Sequence, residues 1–187
     1  FVLQEEQLGT GHAVACARSA LEGKADTILV TFADMPLLRK ESLEALLALY
    51  HAGQGPVSMT SFIGDDARGF GRVVRDDAGH VTAIVEQADA TPEQLAIREY
   101  NVSAYCFQAD WLWGALEEIP ISPKGEYYLT DVVGLAVGQG YPVESLVLED
   151  PTEAIGINNR IHLATAEQRM RQRINQAWML AGVTIVN

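Results

Sequence analysis

Basic residues are scarce in this chain. Thirteen Lys and Arg stand against 25 Asp and Glu in 187 residues, a formal net charge of −12. Such a chain repels nucleic-acid backbones and anionic membrane surfaces, so neither is an expected partner. Local basic groups still suffice to hold a single phosphate. Cysteine is scarce as well. Cys16 and Cys106 are far apart, each in apolar company, with no CxxC or Cys/His cluster. That excludes a zinc-finger spacing and a disulfide framework, and leaves two buried thiols in a reducing compartment as the expectation. No apolar run approaches the roughly 18 residues of a membrane-spanning helix. No basic segment followed by an apolar stretch marks a leader, so cytoplasm is the expected location. Internal repeats, low-complexity tracts and Pro/Ser-rich linkers are missing too. The chain opens on Phe1 rather than Met. Removal of an initiator Met leaves small residues, so this reads as a piece of something longer.

What is present describes a globular domain: 48% apolar and 20% charged residues, enough to bury a full core. Strand and helix patterns alternate. A short strand is expected at Phe1–Leu3, then a helix over His12–Leu21 with Ala13, Val14, Ala17 and Leu21 on one face. Asp26–Phe32 is a β-branched apolar run that reads as a strand buried on both faces, as in a parallel sheet. Leu43, Leu46, Leu47 and Tyr50 recur at helical spacing, and Gly53 ends that helix. Pro56–Ile63 and Glu99–Phe107 read as strands. Gly71–Arg75 and Val81–Val85 flank Asp76-Asp-Ala-Gly79 as a hairpin. A short helix capped by Asp110 and ended by Pro120 follows, then a helix over Thr130–Gly138 and a strand over Val143–Leu148. A long helix spans Asn159–Ala181, with Leu163, Ala166, Met170, Ile174, Ala177 and Ala181 inward. Gly182 stops it, and Val183–Val186 is a last strand. The fold expected is α/β: a Rossmann-like mixed sheet with helices on both faces. Ligands in such sheets sit beyond the carboxyl ends of strands, so the segments there carry the chemistry.

Gly9 and Gly11 lead into the first helix and let the backbone approach a planar or phosphate group, while Gln4 and Thr10 both donate and accept, which suits a base edge. An ordinary strand–helix turn has the same glycines. Asp34, ahead of Met35-Pro36, is a carboxylate where Mg²⁺ is often held with substrate phosphates; it is also where a turn-forming Asp sits. Gly71 opens a strand, either for close approach to a ligand or as a bulge. Glu86 and Asn101 are polar at apolar strand positions, so they need partners, from a sugar's hydroxyls or from neighbouring backbone. Tyr127 and Tyr128 suit a binding wall, and Thr130 is an N-cap candidate. Asn158 or Asn159 caps the long helix, and Asn158 otherwise offers a carbonyl oxygen to a metal. The four histidines have no ligand spacing, and no order of residues supports covalent catalysis.

Seven segments in this order carry a resemblance: QEEQLGTGHAV at Gln4–Val14, DMPL at Asp34–Leu37, GFGRVVRD at Gly69–Asp76, IVEQADAT at Ile84–Thr91, EYN at Glu99–Asn101, GEYYLTDVV at Gly125–Val133 and GINNR at Gly156–Arg160. Together they resemble the uridyltransferase half of the bifunctional bacterial GlmU family, over nearly the whole chain. The resemblance implies a nucleotide-diphospho-sugar transferase type of fold and uridylyl transfer from UTP to N-acetylglucosamine 1-phosphate. By resemblance, Gln4, Gly9 and Thr10 meet the uracil, Asp34 and Asn158 hold Mg²⁺, and Gly71, Glu86, Asn101, Tyr128 and Thr130 surround the sugar phosphate. There are departures. Ala33 stands where the family usually has Gly, Phe32 where it has Tyr, Ala88 where it often has Lys, and Val102-Ser103 where it commonly has Thr-Gly. These bear on sugar specificity more than on fold.

The family also has a first strand with a Gly-rich loop, LAAGxGTRM…PK, which grips the triphosphate, and a β-helix acetyltransferase half that forms a homotrimer. Neither is in these 187 residues. Residues 1–187 are therefore expected to be a partial nucleotidyltransferase domain, inactive or nearly so alone, whose parent is the enzyme. Two other readings compete: a nucleotidyltransferase for another sugar 1-phosphate or for dTTP, and a nucleotide-sugar-binding regulatory module without catalysis.

Overall fold

The computed structural model describes residues 1–65, 67 and 69–186. Its elements are α1 (Thr10–Cys16), α2 (Arg18–Leu21), β1 (Thr27–Val30), α3 (Lys40–Ala52), β2 (Val57–Ile63), β3 (Arg72–Arg75), β4 (Val81–Val85), α4 (Pro92–Leu95), β5 (Glu99–Gln108), α5 (Ala109–Glu118), α6 (Asp131–Gly138), β6 (Glu144–Val147), a 3₁₀ turn (Pro151–Ala154) and α7 (Arg160–Leu180). Most of the β-branched runs became strands and the segments with apolar residues three and four apart became helices, as the periods of 2 and 3.6 lead one to expect.

The ten-residue β5 organises the sheet. It pairs with β2 along one edge, and shares the other between β1, against Tyr105–Gln108, and β3, against Tyr100. The order is β4-β3-β5-β2-β6, with β1 also on β5. Only β2–β6 is parallel among the described pairings. Successive residues of β5 point to opposite faces. Tyr105 and Phe107 pack with Met59, Leu112, Trp113 and Val133. Ala104 and Cys106 pack with Leu46 of α3 on the other side. Helices thus cover both faces of a mixed sheet. Each large side chain buried in these layers contributes about 1.5–3 kcal/mol.

Several local expectations are corrected. Phe1–Leu3 forms no strand and is exposed. The Asp26–Phe32 strand shortens to Thr27–Val30, pairs antiparallel with β5, and leaves Leu29 46% exposed, so only one of its faces is buried. The helix expected from His12 starts at Thr10 and breaks at Ala17. Asp110 lies in the first turn of α5, and Gln108 holds the cap position. On α7 the apolar line exists but lacks a partner along most of its length. Of its six expected inward residues only Ala166 is buried, and Leu163 and Ile174 are half in solvent. Val183–Val186 forms no strand. The Val183 N–H turns back to the Trp178 carbonyl at 3.0 Å, with Gly182 at φ 93. That closes the helix with a Schellman motif and ends regular structure there.

Candidate functional site

A cleft of about 520 Å³ opens beside β5 and the loop before α1. The nucleotide candidates Gln4, Gly9 and Thr10 line it. So do the sugar-phosphate candidates Gly71, Glu86, Asn101, Tyr128 and Thr130. Residues scattered over most of the sequence therefore share one concavity.

The α1 side is built by backbone. The Tyr127 N–H donates to the Leu8 carbonyl at 2.8 Å, and the Gly11 N–H donates to the Tyr127 carbonyl at 2.8 Å. Gly9 sits between them at φ 99, and a Cβ there would lie 2.6 Å from the Tyr127 carbonyl oxygen. The glycine is required by this chain-on-chain approach. The approach delivers Thr10, whose hydroxyl oxygen accepts the Leu129 N–H at 3.0 Å and keeps its own proton to donate. The Gln4 amide donates to the Gly9 carbonyl at 3.2 Å and lies 2.9 Å from His12 Nδ1.

On the sugar side, Thr130 occupies the N-cap position of α6 but makes no cap bond. Its hydroxyl instead donates to Glu86 Oε1 at 2.9 Å. Burial pushes the Glu86 carboxyl above its ordinary range, the Thr130 bond opposing and Asp89 adding to the rise. Asp131 next door is also raised, by burial and then by Glu86 and Asp89. Gly71 has a packing reason: a Cβ on it would lie 2.8 Å from Ile84 Cγ2. Its carbonyl accepts the Asn101 N–H at 2.9 Å. Asn101 is 3% exposed and finds its partners inside the protein. Its Oδ1 accepts the Ser103 N–H at 3.0 Å and its Nδ2 donates to Tyr105 Oη at 2.7 Å.

Asp34 and Asn158 lie outside that cleft but in grooves adjoining it. Asp34's groove shares Thr10, Ala13 and Phe32 with the cleft, and Asn158's shares Phe70. The Ile157 N–H donates to the Asp34 carbonyl at 2.9 Å, which ties the two segments together. Both side chains are exposed. The capping role falls to Asn159, whose Oδ1 accepts from Ile161 and His162 at 2.9 Å. A carboxylate and an exposed amide carbonyl are hard oxygen donors, and Mg²⁺ is commonly held by one or two such groups completed by water and phosphate. The donor set fits that ion. Among the described residues no group of three or more His, Cys, Asp or Glu side chains converges, so no closed metal cage is present.

Sequence reasoning missed several contributors. Phe70, Tyr105 and Glu126 line the cleft, as does Ser103, which the sequence marked only as a departure from the family. Glu153, 3% exposed, accepts from the Arg39 N–H at 2.7 Å and from the Ser42 hydroxyl at 2.8 Å. It fastens the 3₁₀ turn before Asn158 to the start of α3, after Asp34. The sequence carries little signal for Glu153, which follows Glu149-Asp150-Pro151-Thr152 and so reads as one more acid of a polar turn.

Residues 1–179 match the model of the nucleotidyl transferase family. The bifunctional protein GlmU of Solibacter usitatus is 47% identical over 189 residues, covering 100% of this chain and 40% of that protein. Those of Heliobacterium modesticaldum and Exiguobacterium are 43% and 45% identical, again over 100% of this chain and 41% and 42% of theirs. The chain thus spans about two-fifths of the length of these relatives. A crystal structure from Bacillus anthracis, assigned as a glucose-1-phosphate thymidylyltransferase and holding sucrose, superposes with a TM-score of 0.67 at 14% identity, over 89% of this chain and 63% of that one. It shares the fold. No helix among the described residues is long and apolar enough to cross a membrane. With the fold matched and nearly all of its length covered by the family's model, the chain belongs to the nucleotidyl transferase family.

Proposed function

We propose that this chain is the part of a larger protein that transfers uridylyl from UTP to N-acetylglucosamine 1-phosphate. The observation that carries the reading is the gathering of all eight nucleotide and sugar-phosphate candidates around one cleft. The similarity to GlmU proteins over its whole length supports the same substrates.

In this reaction an oxygen of the sugar 1-phosphate attacks the α-phosphorus of UTP. One P–O bond forms, the bond to the α–β bridging oxygen breaks, and pyrophosphate leaves with the electron pair. No enzyme nucleophile is needed, so the protein's task is positioning and electrostatics. Gln4 and Thr10 present donors and acceptors to the base. Glu86 and Thr130 present oxygens to the neutral sugar ring. A carboxylate there repels phosphate, which orients the sugar's phosphate away from Glu86 and toward the Asp34 end. Mg²⁺ bound by Asp34 and Asn158 would neutralise phosphate charge.

Phe32 in the cleft wall favours one second reading, a preference for a different sugar or for dTTP, because it offers no hydroxyl to the ligand. The test is product analysis on the full natural protein, with UTP and dTTP against several hexose 1-phosphates. Synthesis of UDP-N-acetylglucosamine ahead of the other pairs supports the proposal. Preference for another pair supports the second reading, and binding without any turnover overturns both.

A further inference from the structure

Among the described residues, one non-glycine residue has a left-handed backbone: Ser103, at φ 59. It sits in the wall of the cleft. A Cβ strains that conformation, and such outliers persist where surrounding structure holds them in place. Here the holding structure is visible. From Met59 to Ser61 the chain takes two steps on β2, while β5 takes four from Tyr105 to Asn101. The surplus on β5 is a bulge with Ser103 inside it, and bulges re-aim side chains. Asn101 Oδ1 accepts the Ser103 N–H at 3.0 Å and pins the turn. Its Nδ2 donates to Tyr105 Oη at 2.7 Å and lies 3.4 Å from Ser103 Oγ.

These three polar side chains form one cluster, and they differ in access. Tyr105 is fully buried and Asn101 is 3% exposed, whereas Ser103 is only half-buried. All three line the cleft, and Ser103 is the most accessible of them. Resting on the proposed function, we propose that Ser103 is a specificity-determining residue that hydrogen-bonds an oxygen of the bound hexose, and that Asn101 is a positioning residue acting through it.

The test is calorimetric titration of the full natural protein with UDP, with UDP-N-acetylglucosamine, and with analogues of the latter lacking one ring hydroxyl or the acetamido group. Ser103→Ala is expected to weaken binding of the sugar nucleotide about fivefold to tenfold, the size of one hydrogen bond. UDP binding stays unchanged, and the loss disappears for the one analogue that lacks the contacted oxygen. Ser103→Gly, which suits the left-handed backbone, is expected to show the same loss with an undiminished melting temperature. A purely structural serine would give equal losses for every ligand, or none, and either result overturns the proposal. A full natural protein that binds UDP-N-acetylglucosamine in no form overturns the functional reading beneath it as well.

Discussion

The Thr130 hydroxyl donates to the Glu86 carboxylate at 2.9 Å, across 44 positions of sequence. That bond closes the sugar side of the cleft by joining the end of β4 to the start of α6. It also leaves a carboxylate where burial raises its pKa, with the Thr130 bond opposing. An acid with a raised folded pKa binds its proton more tightly folded than unfolded. Its contribution to stability therefore falls as pH rises from the ordinary Glu range through the raised value. Glu86→Gln is expected to raise the melting temperature at pH 7 and to leave it unchanged below about pH 4, where unfolded Glu is protonated too. Thermal melts at the two pH values check this; an equal shift at both would refute it. Binding of the sugar nucleotide should weaken in the same variant.

Gly9 and Gly79 both have positive φ, 99 and 87, but only Gly9 has neighbours in the way. Gly79→Ala is expected to cost about 1 kcal/mol, the price of the backbone conformation alone. Gly9→Ala should cost at least about twice that, because its Cβ meets the Tyr127 backbone, and base binding should fall with it. Denaturant unfolding of both variants gives the comparison, and equal losses would show that the Tyr127 contact yields freely.

Asp34 is exposed, so its removal should barely change stability. In the full natural protein, Asp34→Ala is expected to abolish Mg²⁺-dependent turnover with a melting temperature within a degree or two of the parent. Retained turnover at saturating Mg²⁺ would remove Asp34 from the metal assignment.

Glu153 is the reverse case. It is not among the residues lining the cleft, yet it is buried and accepts from two donors, the Arg39 N–H and the Ser42 hydroxyl. Glu153→Ala leaves the Arg39 N–H and Ser42 hydroxyl without their acceptor and should destabilise by about 2–4 kcal/mol. If the Asp34 and Asn158 segments depend on this anchor, the variant should also need more Mg²⁺ for half-maximal turnover. Unfolding curves and Mg²⁺ titrations together separate the two effects.

Much of the fold was legible because it rests on local periodicity. The runs at Pro56–Ile63 and Glu99–Phe107, the Asp76–Gly79 hairpin and the capped helix after Asn159 depend on side chains close in sequence, and the structure has them nearly where the pattern puts them. The misplaced pieces are those whose state depends on a distant partner. Thr27–Val30 reads as buried on both faces, yet Leu29 is exposed, because a strand's own apolar run does not supply the layer that would cover its second face. Leu163 and Ile174 form a helical stripe, but periodicity supplies a face and not something to cover it.

The site divides along the same line. Residue type and motif order alone determined which polar groups were candidates, since an acid or an amide inside an apolar strand needs a partner wherever it lies. Tertiary structure alone decided what those partners are. Glu86 meets Thr130, Gly9 meets Tyr127, and Asn101 turns inward to Ser103 and Tyr105. The bulge that leaves Ser103 facing the cleft comes from the register between β2 and β5. Register is a property of two strands packed together, which neither strand's sequence carries by itself.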